Sequence, residues 1–152
     1  MGEGKVADQI ATTKNTALVV LAFVGATISD MMGGWTQDLT TLVIFMCVDY
    51  ASGWIAAAVF KKSTKTETGT LSSVAGFKGL AKKGAELLVV LVAARLDLMA
   101  GDGHIVRNMT VIFLLGNEGL SILENFGLMG VPIPPAIKNA LQALKDKSET
   151  ES

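Results

Sequence analysis

The sequence predicts an all-α integral membrane protein with about four short transmembrane helices and additional amphipathic helices at the membrane surface. Half of the 152 residues are apolar even before the 16 glycines are counted, whereas soluble domains reach roughly 45–50% apolar only when glycine is included. The apolar residues are concentrated in segments of near-spanning length, and one compact unit accommodates a chain of this size. The alternative, a soluble four-helix protein, requires a polar face that the first two segments lack.

The first two apolar segments, residues 16–32 and 39–60, are predicted to form a transmembrane hairpin. A spanning helix needs about 20 predominantly apolar residues, and the second segment is interrupted only by Asp49. Gly33 and Gly34 stand between the segments, and paired glycines favour a turn. The sequence therefore predicts two spans joined by a tight turn at the glycine pair.

The third and fourth segments, residues 84–101 and 105–129, are apolar but carry charged side chains. A charge in the middle of a bilayer costs about 2.5–3.5 kcal/mol on insertion scales, so each segment is a poor span by itself. The turn at residues 101–104 allows them to pair as a second hairpin, which completes four crossings. The charged side chains are Glu86, Arg95, Asp97, Arg107, Glu118 and Glu124.

Six lysines stand in the loop over residues 61–83 with a single acidic residue, Glu67. Positive charge near span ends marks the cytoplasmic side, so the loop is predicted to lie on the cytoplasmic membrane surface. With four crossings, both termini then lie in the cytoplasm. The basic residues assigned to the membrane surface are Lys61, Lys62, Lys65, Lys78, Lys82 and Lys83.

This topology divides the chain into a cytoplasmic segment over residues 1–15, a membrane domain over 16–130 and a cytoplasmic end over 131–152. Within the loop, residues 71–83 mix apolar residues and lysines at helical spacing, which is typical of a helix lying on a membrane surface. Pro135 suits the start of another amphipathic helix, which lies on the membrane or mediates oligomerisation. The last five residues, SETES, are predicted to be a disordered tail.

Asp49 and Arg95 are predicted to form an ion pair inside the membrane. Asp49 lies eleven residues before Phe60, and Arg95 lies eleven residues after Gly84. At about 1.5 Å rise per residue, neighbouring antiparallel helices place the two side chains at similar depth. The alternative is a protonated Asp49 with local hydrogen bonds.

Polar side chains in the fourth segment share one helical face, whereas the opposite face is apolar. Such a helix meets lipid on one side and water, or another polar helix, on the other. The face therefore predicts either the wall of an aqueous lesion that opens on assembly or a polar seam within a static bundle. Its candidate residues are Asn117, Glu118, Ser121, Glu124 and Asn125.

Small residues four positions apart predict contacts between spans. Gly25 and Ser29 have this spacing in the first span, and Gly53 and Ala57 have it in the second. Small side chains let helix backbones approach closely, and close packing drives association where lipid offers no hydrophobic gradient.

Several function classes are excluded by composition. Cys47 and His104 are the single cysteine and histidine, so neither a disulfide framework nor a Cys/His metal site is expected. The sequence contains no Ser/His/Asp set, P-loop or dinucleotide fingerprint, and we expect neither enzymatic activity nor a cofactor. Nucleic-acid binding is not expected, because the basic block stands between apolar segments and net charge is −1.

Residues 38–145 resemble the toxin-secretion/phage-lysis holin family. The resemblance is carried, in order, by DYASG at the end of the second span, by LSS and GFKGLAKK in the basic loop, and by NEGLSILEN before VPIP. It implies a protein of the bacterial cytoplasmic membrane that forms homo-oligomers and opens lesions. An endolysin or a secreted toxin would be its functional partner, without necessary direct contact. The alternatives are a selective ion or small-solute channel or transporter subunit, and a non-conducting membrane scaffold.

Overall fold

The computed structural model describes residues 2–101 and 103–150, and these residues form five α-helices with no β-strand. The all-α prediction is therefore confirmed for the described part of the chain. The helices are α1 (Gly2–Met31), α2 (Gln37–Ala58), α3 (Ser73–Ala100), α4 (Ile105–Leu128) and α5 (Pro135–Thr150).

The turn between α1 and α2 forms at the glycine pair that the sequence indicated. Gly33 has a φ of 81° and Gly34 a φ of 93°, which is the left-handed region that glycine adopts without steric cost. The chain reverses there, and α2 begins at Gln37. The predicted break between the first two segments is confirmed.

Helix α3 begins earlier than predicted. The side chain of Ser72 caps its N-terminus by accepting a hydrogen bond from the backbone N–H of Ala75 at 3.5 Å. The helix then continues for 28 residues through Gly84, since one interior glycine costs only about 1 kcal/mol relative to alanine. Residues 73–83 are helical, as predicted, but they form the first turns of α3 and not a separate helix.

Asp97 links the end of α3 to the start of α4. One carboxylate oxygen accepts the backbone N–H of Val106 and the other accepts that of Arg107, each at 2.8 Å. The first N–H groups of a helix have no partner within it, so the carboxylate supplies the missing acceptors. Gly101, with a φ of 75°, ends α3 in the left-handed conformation. Asp102, in the predicted turn, lies outside the described residues.

Helix α4 occupies the centre of the fold and packs against α2, α3 and α5. Its apolar contacts with α2 and α3 form a small core to which the turn after α1 also contributes. Helix α1 contacts α3 alone among the described helices, and most of its side chains from residue 12 onward are exposed. The buried core side chains are Met32, Leu39, Leu42, Met46, Val90, Val111 and Leu114.

By length and composition, α2 and α4 are the two described helices that could cross a membrane. Two of the four predicted spans, α2 and α4, therefore have the length and apolar composition expected of a transmembrane helix. Helix α3 carries three charged residues after Gly84. In α1, the uncharged run between Lys14 and Asp30 has 15 residues, which is short of the about 20 that a span needs.

Helix α5 begins at Pro135, as predicted, and runs back along α4. The two helices touch at glycines: a Cβ atom on Gly119 would lie 2.6 Å from Cδ2 of Leu141, and one on Gly116 would lie 3.0 Å from Cβ of Lys145. Because α5 continues to Thr150, the tail predicted over the last five residues is helical in its first three. Residues 151 and 152 lie outside the described part.

Candidate functional site

Three ionisable side chains from three helices meet inside the bundle. Nζ of Lys83 on α3 lies 2.7 Å from Oδ2 of Asp49 on α2 and 2.5 Å from Oε2 of Glu118 on α4. The side chains are 12%, 5% and 4% exposed, respectively. One ammonium group therefore bridges two buried carboxylates, and we call these three residues the ion cluster.

Neutral side chains complete the hydrogen bonding of Asp49. Oγ of Ser121 donates to Oδ1 of Asp49 at 2.6 Å, and Nδ2 of Asn125 donates to the same oxygen at 3.0 Å. Nδ2 of Asn125 also lies 3.0 Å from Oγ of Ser52. Both carboxylate oxygens of Asp49 thus have partners, which satisfies a group that would be costly to bury alone.

The position of Lys83 follows from where α3 begins. Asp49 lies nine residues before the end of α2 at Ala58, and Lys83 lies ten residues after the start of α3 at Ser73. The predicted pair of Asp49 with Arg95 is therefore wrong. The prediction placed the start of this helix at Gly84, whereas α3 begins at Ser73, so Lys83 and not Arg95 lies level with Asp49. Arg95 lies twelve residues beyond Lys83, about 18 Å along the helix, and is exposed.

The ion cluster lies near the middle of both helices that could span a membrane. Asp49 is the thirteenth of 22 residues in α2, and Glu118 is the fourteenth of 24 in α4. Charged groups at that depth are expensive and mark functional positions, and they are tolerated where they pair with one another. No group of three or more His, Cys, Asp or Glu side chains in the described residues is arranged to hold a metal ion.

Arg107 forms a second buried polar site, which the sequence had not indicated. Its Nε donates to the carbonyl oxygen of Met32 at 2.7 Å, and its Nη2 donates to Oγ1 of Thr36 at 2.8 Å and to the carbonyl oxygen of Gly34 at 3.1 Å. These contacts fasten the start of α4 to the turn between α1 and α2. The available sequence signal was a charged residue near the start of an apolar segment.

The structure divides the predicted polar face of α4. Glu118, Ser121 and Asn125 point toward α2 and α3, where they contact the ion cluster or belong to it. Asn117 is half-buried beside a cavity, and Glu124 is exposed. In a single chain, three of the five side chains thus form a seam between helices, and their role in a lesion wall stays a prediction.

The small residues also fall into two groups. Gly53 and Ala57 lie on α2, where a Cβ atom on Gly53 would be 3.6 Å from the side-chain amide of Asn125 and where Ala57 is buried. Gly25 on α1 has no atom within 4 Å of its Cβ position, and Ser29 is half-buried. Gly25 and Ser29 are therefore available for contacts with another chain.

Five of the six lysines assigned to the membrane surface are exposed, whereas Lys83 is not. The assignment of Lys83 is wrong, because α3 places its ammonium group between two carboxylates in the bundle. Lys82 has 74% of its side chain exposed and lies 3.5 Å from Glu86. The exposed lysines are Lys61, Lys62, Lys65, Lys78 and Lys82.

Comparison with known proteins gives one family. The profile of the bacteriophage holin family matches residues 26–146. An uncharacterised protein of Clostridium perfringens is 36% identical over 129 residues, which cover 84% of this chain and 90% of that protein. One from Listeria innocua is 38% identical over 132 residues, covering 87% and 88%.

A protein of Bacillus phage phi105 described as a probable holin is 29% identical over 119 residues, covering 78% of this chain and 82% of that protein. No solved structure matches. These relatives are aligned over most of their own length, and the matched region contains α2, α3 and α4 with the whole ion cluster.

Proposed function

The chain belongs to the bacteriophage holin family, and from that membership we propose that it acts as a phage-type holin. Copies of the chain oligomerise in the bacterial cytoplasmic membrane and permeabilise it without enzymatic activity. The lesion releases an endolysin or a toxin. The similarity to the probable holin of Bacillus phage phi105 supports this role.

The observation that carries the proposal is the ion cluster at the middle of α2 and α4. A single chain pairs Lys83 with Asp49 and Glu118 internally, so each of these two carboxylates has an ion-pair partner when the chain accumulates in a bilayer. A lesion needs polar groups at the same depth once water enters. The cluster supplies them within otherwise apolar helices.

We propose four crossings, with α1 and α3 as short spans beside α2 and α4. Apolar side chains of α1 support this topology, since Leu18 is 62% and Phe23 is 73% exposed, and lipid would cover them. In α3, Lys83 and Asp97 already have partners. The basic loop then lies in the cytoplasm with both termini.

The lesion wall is proposed to form on α4. Asn117 and Glu124 are the residues of its polar face that do not contact Asp49 or Lys83 in a single chain. These two residues would be the first of the polar face to contact water when a lesion opens. Glu118, Ser121 and Asn125 would follow if neighbouring copies exchange partners with the ion cluster.

The test is inducible expression in a bacterial host that also produces a cytoplasmic endolysin. We expect growth to stop and the endolysin to reach the cell wall, with the endolysin alone as the control. Conductance of fixed size and selectivity, without passage of folded protein, would instead indicate a channel or transporter subunit. Assembly without any change in permeability would indicate a scaffold and contradict the proposal.

A further inference from the structure

A cavity of about 270 Å³ opens beside the ion cluster between α2, α3 and α4. At about 30 Å³ per water molecule, it has room for roughly nine waters or for a small polar group. Tyr50 and Asn117 contribute polar side chains to its wall. Its charged lining comprises Asp49, Lys65, Lys78, Lys82, Lys83 and Glu118.

The charges around this cavity are unbalanced. The two carboxylates in its lining are both bound by Lys83, and Lys82 is 3.5 Å from Glu86 outside the cavity. Lys65 and Lys78 form no salt bridge with any of the described residues. Positive charge therefore remains in the lining of a space large enough for an anion.

The cavity lies at the end of the helix bundle that carries the basic loop. Lys65 belongs to the loop between α2 and α3, and Lys78 and Lys82 lie in the first three turns of α3. Tyr50 and Trp54 stand beside it with ring centroids 6.0 Å apart, and both residue types are enriched at membrane–water interfaces. In the proposed topology the cavity extends from the ion cluster, near the middle of α2 and α4, toward the inner-leaflet headgroups.

We propose that this cavity binds a phosphate group, held by Lys65, Lys78 and Lys82. Its source is either the headgroup of an anionic phospholipid or free phosphate. Basic pockets between transmembrane helices on the cytoplasmic side are typical headgroup sites. The inference rests on the proposed membrane topology, but it concerns ligand binding by the resting protein and not lesion formation.

A bound phosphate would also join the basic loop to the start of α3. Lys65 lies in the loop before α3, whereas Lys78 and Lys82 belong to the helix. An anion shared by these lysines would fix the loop against the first turns of α3.

The test uses the purified full-length protein in neutral detergent and measures retention of phosphatidylglycerol and of phosphatidylcholine by native mass spectrometry. We expect phosphatidylglycerol to bind at least about tenfold more tightly, because the choline cation opposes the lysines. The K65Q/K78Q/K82Q variant is expected to lose affinity on the order of 100-fold, since each lysine near a membrane surface contributes about fivefold. The K61Q/K62Q/K138Q variant removes the same charge from exposed positions outside the cavity and is expected to bind as the unmodified protein does.

Excess inorganic phosphate separates the two sources. Displacement of the lipid by phosphate assigns the site to a free phosphate anion, and lipid retention under the same conditions assigns it to a headgroup. Equal retention of the two lipids, or equal loss of affinity in the two triple variants, would overturn the inference. Since the readout is binding to the purified protein, a chain that lyses cells without lipid selectivity would leave the holin proposal intact.

Discussion

The centre of the bundle and the first helix differ in the side chains that they bury and expose. At the centre, Lys83, Asp49 and Glu118 are buried and paired with one another inside one chain. Helix α1 presents apolar side chains such as Phe23 to the outside and contacts only α3 among the described helices. The difference indicates that polar interactions hold a single copy together, whereas the surface left for lipid and for other copies is apolar.

This contrast separates folding from assembly. Substitutions in the ion cluster should reduce the stability of the single chain and, through it, every later step. Substitutions on the exposed face of α1 should leave the single chain unchanged and alter only association.

Lys83→Met should have the largest effect. It leaves Asp49 and Glu118 buried without their ammonium partner, and removing one member of a buried ion pair costs about 3–5 kcal/mol. We expect a large loss of thermal stability for the purified protein in detergent, and little protein in the membrane. Lys62→Met is the matched control, because Lys62 is exposed outside the cluster, and it should behave as the unmodified protein does.

Ser121→Ala should weaken the cluster without breaking the ion pairs. It removes the hydrogen bond that Oγ donates to Asp49 at 2.6 Å, and a bond to a charged group contributes about 1.5–3 kcal/mol. Thermal unfolding should show a loss smaller than that of the Lys83 variant. The control is Ser73→Ala at the exposed start of α3; equal losses in the two serine variants would contradict the assigned role of Ser121.

Gly116→Ala should loosen α5 from α4. The new Cβ would lie 3.0 Å from Cβ and 3.2 Å from the backbone nitrogen of Lys145, so α5 must shift at a cost of about 1–3 kcal/mol. Faster protease cleavage within α5 is the expected measurement. Gly127→Ala, on the same helix with nothing within 4 Å, is the control and should be neutral or stabilising. Unchanged cleavage in the Gly116 variant would mean that α5 does not pack there.

Gly25→Leu should have almost no effect on the single chain. No atom lies within 4 Å of the Cβ position, so the added side chain meets only the surroundings of α1. If α1 packs against another copy through its small residues, the variant should assemble less, as measured by cross-linking in membranes. Reduced thermal stability of the unassembled protein would contradict the separation of folding from assembly.

Much of the fold could be predicted from local signals. Gly33 and Gly34 indicated the first turn, and Pro135 indicated the start of α5, because each residue type has a specific backbone preference. The apolar segments became helices whose C-terminal ends lie within two residues of the predicted ones, whereas α1 and α3 begin more than ten residues earlier than predicted. These features depend on residues that are close together in the sequence, so they can be recognised without knowing the fold.

The partners within the site could not be predicted in the same way. Lys82 and Lys83 are adjacent and chemically alike, and only the start of α3 at Ser73 decides that one is exposed and the other is buried. The contact of α5 at Gly116 and Gly119 also escaped a search for small residues four apart, since these glycines are three apart. Both features depend on how helices align in three dimensions.

The most direct measurement tests whether Lys83 stabilises the protein because it pairs with the two carboxylates of Asp49 and Glu118. The Lys83→Met variant is combined with Asp49→Asn and Glu118→Gln, which removes every charge from the cluster while keeping groups of similar size. The account predicts that the neutral triple variant regains membrane accumulation and thermal stability that the single variant lacks. A single variant as stable as the unmodified protein, or a triple variant no better than the single one, would contradict it.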